Sequence, residues 1–443
     1  MTAEIAILNK SAVVLAADSA GTIDLGFRTQ IDNSTDKLFM LSKKDPVAIM
    51  IYQNLSFVGV PFETIIKMYR KKLSNTRFNT LKEYCDDFLK FLIFNFKGNE
   101  EDQKLDIIAK SRKQIKEIYD YNLLSLENFT SVKRFLEEGG ELTDGIFEPN
   151  FFEYKIDKQI ENIKNNISDS SKNFPNDLFV EIRQKHRQTI RGVISTLKQE
   201  LSHESFFNET HEDKLIDLAC LSLLESYSGV VISGFGKNDI FPSLVSTTLY
   251  SIYNDKLYKI ENQSFNITEE NNAGIIPFAQ KDMVETFLNG VSKDFLKEIE
   301  EFIENKIKGY SQIMNSSFET SEGNEKTIEK LNYLKQKIED SFSTYSKDFF
   351  DSYNELIYNG IESHIGPILL DIINLPKNEM AVLAESLIHL ISLKRKFSLN
   401  QDETVGGNID VAIISKGDGF IWANRKHYFN AELNPHYIKN YGN

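Results

Sequence analysis

Three residues near the start of the chain have the types and spacing for acyl-transfer chemistry: Thr2, Asp18 and Lys37. A threonine hydroxyl is a poor nucleophile without a base beside it. A residue at an amino terminus carries such a base on itself, the α-amino group, with an unperturbed pKa of about 7.7 to 8.0. Removal of Met1 gives Thr2 that amine. Lys37, with an unperturbed pKa of about 10.4, can move a proton or stabilise negative charge once it is partly desolvated near a second cation, and Asp18 can hold it in place. Taken singly, each has a plainer reading: a strand-start threonine, a strand-end aspartate and a solvated lysine. Their expected convergence points to catalysis.

The elements that must bring them together are strands. Glu4-Ile5-Ala6-Ile7-Leu8 and Ala12-Val13-Val14-Leu15-Ala16-Ala17 are short β-type runs joined by the polar turn Asn9-Lys10-Ser11. A hairpin centred on Lys10 pairs residues whose numbers add to about 20, which sets Thr2 opposite Asp18 with Cβ atoms ~5 Å apart. A second hairpin, Lys37-Leu38-Phe39-Met40-Leu41 with Val47-Ala48-Ile49-Met50-Ile51-Tyr52, sets Lys37 across from Ile51 or Tyr52. From Phe57 the apolar period becomes helical, through Val58, Phe62, Ile65, Ile66, Tyr69 and Leu73. A second helix starts at Thr80, which has capping-box spacing to Glu83.

Further along, helical stripes alternate with returning strands. Phe179, Ile182, His186, Ile190, Val193, Leu197 and Leu201 mark a helix in a region rich in Lys, Glu, Asp and Asn. Strands return at Gly229–Ile232, Ser243–Tyr250 and Lys256–Ile260. A helical hairpin spans about 281–358 with a break near Ser321-Glu322-Gly323-Asn324. A helix over 377–396 precedes a closing hairpin around Lys416-Gly417-Asp418. The expected organisation is 2–96 and 226–280 as core, 97–225 and 281–375 as helical insertions, and 376–443 as the closing helix and strands of the core.

The order strand, turn, strand, then Ala16-Ala17-Asp18-Ser19, then Lys37-Leu38-Phe39, resembles the β-subunits of the proteasome and their simpler bacterial relatives. The resemblance continues in Ile49-Met50-Ile51-Tyr52-Gln53-Asn54, in Ser233-Gly234-Phe235-Gly236 through Tyr250, in Gly274–Gln280 and in Asp402-Glu403-Thr404-Val405-Gly406-Gly407. It covers roughly half the chain, outside both helical insertions. It implies an α+β fold, the αββα four-layer sandwich of N-terminal-nucleophile (Ntn) hydrolases, here with two large helical insertions. It also implies a threonine peptidase acting on peptides or unfolded protein, with Thr2 as nucleophile and Asp18 and Lys37 as its partners. The oxyanion donor would be the backbone N–H of Tyr52 or Gln53, with Ser19 and Asp402 in support. Two departures stand out. The family's glycine at the oxyanion turn is replaced by Tyr52-Gln53, and the serine that assists the amine has no counterpart in Pro277-Phe278-Ala279-Gln280. A homo-oligomer, in ring form, and an ATP-dependent unfoldase are the partners such a resemblance allows. The competing readings are an amidase using the same nucleophile on a small amide, and a catalytically silent scaffold or binding subunit.

Composition narrows the remaining classes. A net charge of −14 with Lys mixed among Asp and Glu repels a phosphate backbone, so nucleic acid is not an expected partner. Cys85 and Cys220, each inside an apolar periodic segment, offer neither a disulfide framework nor zinc-type spacing and fit a reducing cytoplasm. No uncharged apolar run of about 18 residues and no leader pattern is visible, so a membrane is not an expected partner. His203 and His211 stand eight apart without a metal-ligand pattern, and neither metal nor cofactor is expected.

Overall fold

The computed structural model describes residues 3–24, 29–98, 100–137, 151–171, 176–201, 207, 209–225, 227–253, 256–317, 325–397, 406–426 and 433–435. Strands β1 (Ala3–Asn9) and β2 (Ala12–Asp18) form the first hairpin. Asn9 shapes its turn: Oδ1 accepts from the Ser11 amide at 2.9 Å, the Ser11 hydroxyl at 2.7 Å and the Ala12 amide at 3.3 Å. Lys10 and Ser11 are therefore the two loop residues, and the register is Glu4↔Ala17 through Leu8↔Val13. Paired numbers add to 21, not 20. Because the centre falls between Lys10 and Ser11, this register, extended one step, sets Ala3 rather than Thr2 against Asp18.

A short ribbon, β3 (Gly21–Asp24) with β4 (Thr29–Asp32), follows, and then β5 (Leu38–Met40) and β6 (Val47–Gln53). The expected start of the first helix is corrected here. Val58 and Gly59 both have positive φ, 49° and 75°, and make the two-residue loop between β7 (Ser56–Phe57) and β8 (Val60–Pro61). Helix α1 (Phe62–Leu73) begins only after Pro61. In α2 (Leu81–Phe96) the Thr80 side chain accepts from the Glu83 amide at 3.4 Å, and Glu83 Oε2 accepts from the Asn79 amide at 2.9 Å.

Helices α3 (Glu100–Glu137), α4 (Phe151–Ser171), α5 (Asn176–Leu201) and α6 (Glu209–Glu225) share a core of their own, which includes Ile115, Ile163, Ile190 and Leu218. Strands then resume as β9 (Ser228–Gly234), β10 (Ser243–Tyr253), β11 (Lys256–Asn266) and β12 (Ala273–Ala279). Tyr250 and Tyr258 dock this sheet onto the α3–α6 core. The chain continues through α7 (Asp282–Asn289), α8 (Lys293–Ser317), α9 (Glu325–Ile373) and α10 (Lys377–Lys396) to the hairpin β13 (Ile409–Ser415) and β14 (Gly419–Asn424). The expected break at 321–324 lies outside the described residues.

Two five-stranded sheets result, ordered β12-β1-β2-β13-β14 and β11-β10-β9-β6-β5, every neighbouring pair antiparallel. Their facing sides share one core: Ala6, Leu8, Val13 and Leu15 from the first, Ala48, Met50, Val231 and Leu244 from the second. The alternate residues Ile5, Ile7, Val14 and Ala16 face α7, α10 and the end of α9, while Ile49, Ile51, Val230 and Ile232 face α1 and α2. Burial on both faces explains why these strands read as nearly continuous apolar runs. Pro277 is accommodated because β12 is an edge strand. The chain is thus α+β. Among the described residues no helix is long and apolar enough to cross a membrane.

The same substitution should have opposite signs at two glycines. Gly234 has φ 138°, and a Cβ there would lie 2.0 Å from the Pro46 carbonyl oxygen, whereas one at Gly192, exposed in α5, would meet nothing within 4 Å. Gly234→Ala is expected to destabilise by about 1–3 kcal/mol or more. Gly192→Ala is expected to stabilise by about 0.5–1 kcal/mol. Urea unfolding of both variants against wild type checks the pair.

Candidate active site

The site is built where the ends of β1, β2 and β6 meet the residue that precedes β5. Asp18, the last residue of β2, is 2% exposed, and Lys37 is 1% exposed, among the largest fully buried side chains. Burying an ammonium ion costs several kcal/mol unless an opposite charge and good hydrogen bonds compensate. Asp18 supplies both. Its Oδ1 accepts from Lys37 Nζ at 2.5 Å and from the Ala3 amide at 3.0 Å. Its Oδ2 accepts from the amides of Ala20 at 3.3 Å and Gly406 at 3.2 Å. One carboxylate thereby ties the start of β1, the turn after β2, the loop before β13 and the lysine together.

Lys37 is fixed from its backbone as well, since its carbonyl accepts from the Ile51 amide at 2.8 Å, the cross-strand position the hairpin spacing predicts. A second carboxylate, Glu4, lies near the same ammonium. This carboxylate is fully buried, and its Oε1 lies 3.9 Å from Lys37 Nζ. Glu4 belongs to the inter-sheet face of β1, two residues before Ala6, and its cross-strand neighbours are Ala17 and Phe278. The methyl group of Ala17 leaves room for the lysine beside it.

Tyr52 closes the same region from the second sheet. Its ring covers Gly229, directly opposite in the β6–β9 pair, where a Cβ would lie 2.0 Å from the ring, and it packs on Phe278 with centroids 5.7 Å apart. Burial first, then the nearness of Tyr227 and Glu4, push its phenol up to about 12 against hydrogen bonds with Ser246 and Asn262. Tyr52 is therefore neutral at physiological pH and not a base. As for the two amides expected to serve an oxyanion, strand alternation separates them. The Ile51 amide points to Lys37, so that of Tyr52 points to β9, and that of Gln53 returns to the side of Lys37. Gln53 is exposed and has φ 66°. A left-handed backbone at a non-glycine residue there is local strain of the kind found at functional turns.

Thr2 and Asp402 lie outside the described residues. Ser19 follows Asp18 but turns to the backbone: its hydroxyl donates to the Asn408 carbonyl and its amide to the Gly406 carbonyl at 3.3 Å. It tethers the loop before β13. Two residues of this region escaped the sequence reading. Glu4 had a visible signal, a carboxylate at an inward position of an otherwise apolar strand. Gln280 had none. It follows Ala279, the residue paired with Ala3, and is buried with its Oε1 accepting from Arg395 Nε of α10 at 2.7 Å. Ala279 has φ 59°, so a second left-handed position flanks the start of β1.

Other chemistry is weak among the described residues. Burial pushes both thiols, Cys85 and Cys220, up to about 12, which leaves them unreactive. No group of three or more His, Cys, Asp or Glu side chains there could hold a metal ion. No protein-family model matches the chain and no curated protein matches it.

Breaking the pair should cost more than deleting it. Asp18→Asn leaves a buried ammonium facing Glu4 and is expected to lose about 3–5 kcal/mol, while Asp18→Asn combined with Lys37→Met and Glu4→Gln, which removes every charge of the cluster, should recover much of that loss. Chemical denaturation of both variants decides. Loss of less than about 1 kcal/mol in the single variant would mean that water or Glu4 already satisfies the lysine.

Proposed function

We propose that this chain is an Ntn hydrolase of the proteasome-like type, a threonine peptidase in which Thr2, freed by removal of Met1, is the nucleophile. The observation that carries the reading is the double role of Asp18 Oδ1, which holds Lys37 at 2.5 Å and the amide of Ala3, the residue after Thr2, at 3.0 Å. A buried cation is thereby anchored beside the start of the chain, where an amino-terminal nucleophile needs one. Two antiparallel sheets packed face to face, with helices on both outer sides, agree with the αββα sandwich of that class.

In the proposed reaction the Thr2 hydroxyl oxygen bonds to the peptide carbonyl carbon while its proton passes to the Thr2 α-amine. The Gln53 amide donates to the oxyanion, a contribution commonly about 3–4 kcal/mol. Collapse breaks the C–N bond, and the ammonium returns the proton to the leaving amine. Water then attacks the ester carbon, giving up a proton to the same amine, and the C–O bond to Thr2 breaks with that proton restoring the hydroxyl. Lys37 stabilises the developing negative charge and disfavours protonation of the neighbouring amine, and Asp18 fixes its position. Substrates are peptides or unfolded chains. A ring-shaped homo-oligomer and an ATP-dependent unfoldase belong to the same reading.

Three measurements test it. Intact-mass analysis after treatment with a β-lactone or epoxyketone should find Met1 absent and the adduct on Thr2. Thr2→Ala should fold as wild type and lose fluorogenic-peptide hydrolysis by at least about 10³-fold. Lys37→Ala should lose activity to a similar degree. Retention of Met1 with no adduct would favour a silent scaffold, and hydrolysis of acylated small amines without peptide cleavage would favour an amidase.

A further inference from the structure

Glu4 is not accounted for by the roles assigned above. It is fully buried in an otherwise apolar strand, where a carboxylate is costly unless it interacts with a charge, and Lys37 Nζ lies 3.9 Å from its Oε1. It stands on the inter-sheet face of β1 and shares the ammonium that Asp18 contacts at 2.5 Å. Asp18 Oδ1 also holds the amide of Ala3, the residue between Thr2 and Glu4 in the sequence, at 3.0 Å. We propose that Glu4 is a positioning residue of the Thr2 site, its carboxylate sharing the Lys37 ammonium with Asp18 and setting the charge balance felt by the Thr2 amine. The inference rests on the threonine-nucleophile reading.

The charge count gives this role its content. Asp18 and Glu4 are two carboxylates about one lysine, and a liberated α-amine would be the second positive group beside them. Among the described residues Tyr52 of β6 also feels the Glu4 charge, and it stays neutral. With Glu4 present, the protonated α-amine is held more tightly than Asp18 alone would hold it, and the base becomes free at higher pH. Removing the Glu4 charge without changing its shape therefore moves the acid limb of the activity profile down.

The test is Glu4→Gln and Glu4→Asp in the full chain, with wild type and Thr2→Ala alongside, measured on a fluorogenic peptide across pH and by rate of β-lactone adduct formation. Glu4→Gln is expected to lower kcat at least about 10-fold with KM within about 2-fold, and to shift the acid limb of kcat/KM down by about one pH unit. Glu4→Asp, which keeps the charge but draws it back by one methylene, should restore the limb while kcat stays several-fold low. A folded Glu4→Gln with wild-type kcat and profile overturns the inference while leaving the nucleophile reading intact. A wild type without hydrolysis or adduct overturns both. Should Glu4→Gln not fold, Glu4→Asp decides: wild-type kcat in that variant overturns the inference, and a several-fold loss at unchanged KM supports it.

Discussion

The buried contact between Lys37 and Asp18 is the constraint on which the rest of this region depends. An ammonium ion with 1% exposure needs a carboxylate at hydrogen-bond distance, and Asp18 meets that need only because its remaining lone pairs are occupied by the amides of Ala3, Ala20 and Gly406. Those three amides come from the chain's start, the turn after β2 and the loop before β13. The pair thus joins parts of the sequence nearly four hundred residues apart, and each of those segments is held where the charge requires it.

Around the pair, the two sheets supply a dry and narrow environment. Inter-sheet positions on β1 and β2 include small residues, Ala6 and Ala17, beside Glu4. Tyr52 fills the far side by lying over Gly229, so a side chain from the second sheet covers the carboxylate of the first. The low polarizability of such surroundings strengthens each charge contact and raises the cost of any left incomplete. The α3–α6 unit stands apart from this, with a core of its own that touches the sheet through Tyr250 and Tyr258.

Much of the local structure was legible in the residues. The apolar runs of β1, β2, β6 and β9, the Thr80 cap, the α5 stripe from Phe179 to Leu197 and the closing hairpin follow from periodicity and turn chemistry, which act over a few residues. The placement of Lys37 against Ile51 was legible too, since hairpin register is local. What failed was where one residue changes the outcome. The Asn9 side chain selected a two-residue turn and moved the first register by one, and the positive φ values of Val58 and Gly59 turned an expected helix start into a tight loop.

The sequence by itself determined which segments form strands and helices, because that information is carried by near neighbours in the chain, while the grouping of Asp18 with Lys37 came from the family resemblance. Only the tertiary structure decided that Glu4 belongs to the same group, that Ser19 turns to the Asn408 carbonyl and that Gln280 is bound by Arg395. The reason is physical. Those contacts depend on how two sheets and a distant helix pack, and a side chain's partner across a core is set by the shape and charge of everything that fills the space between them.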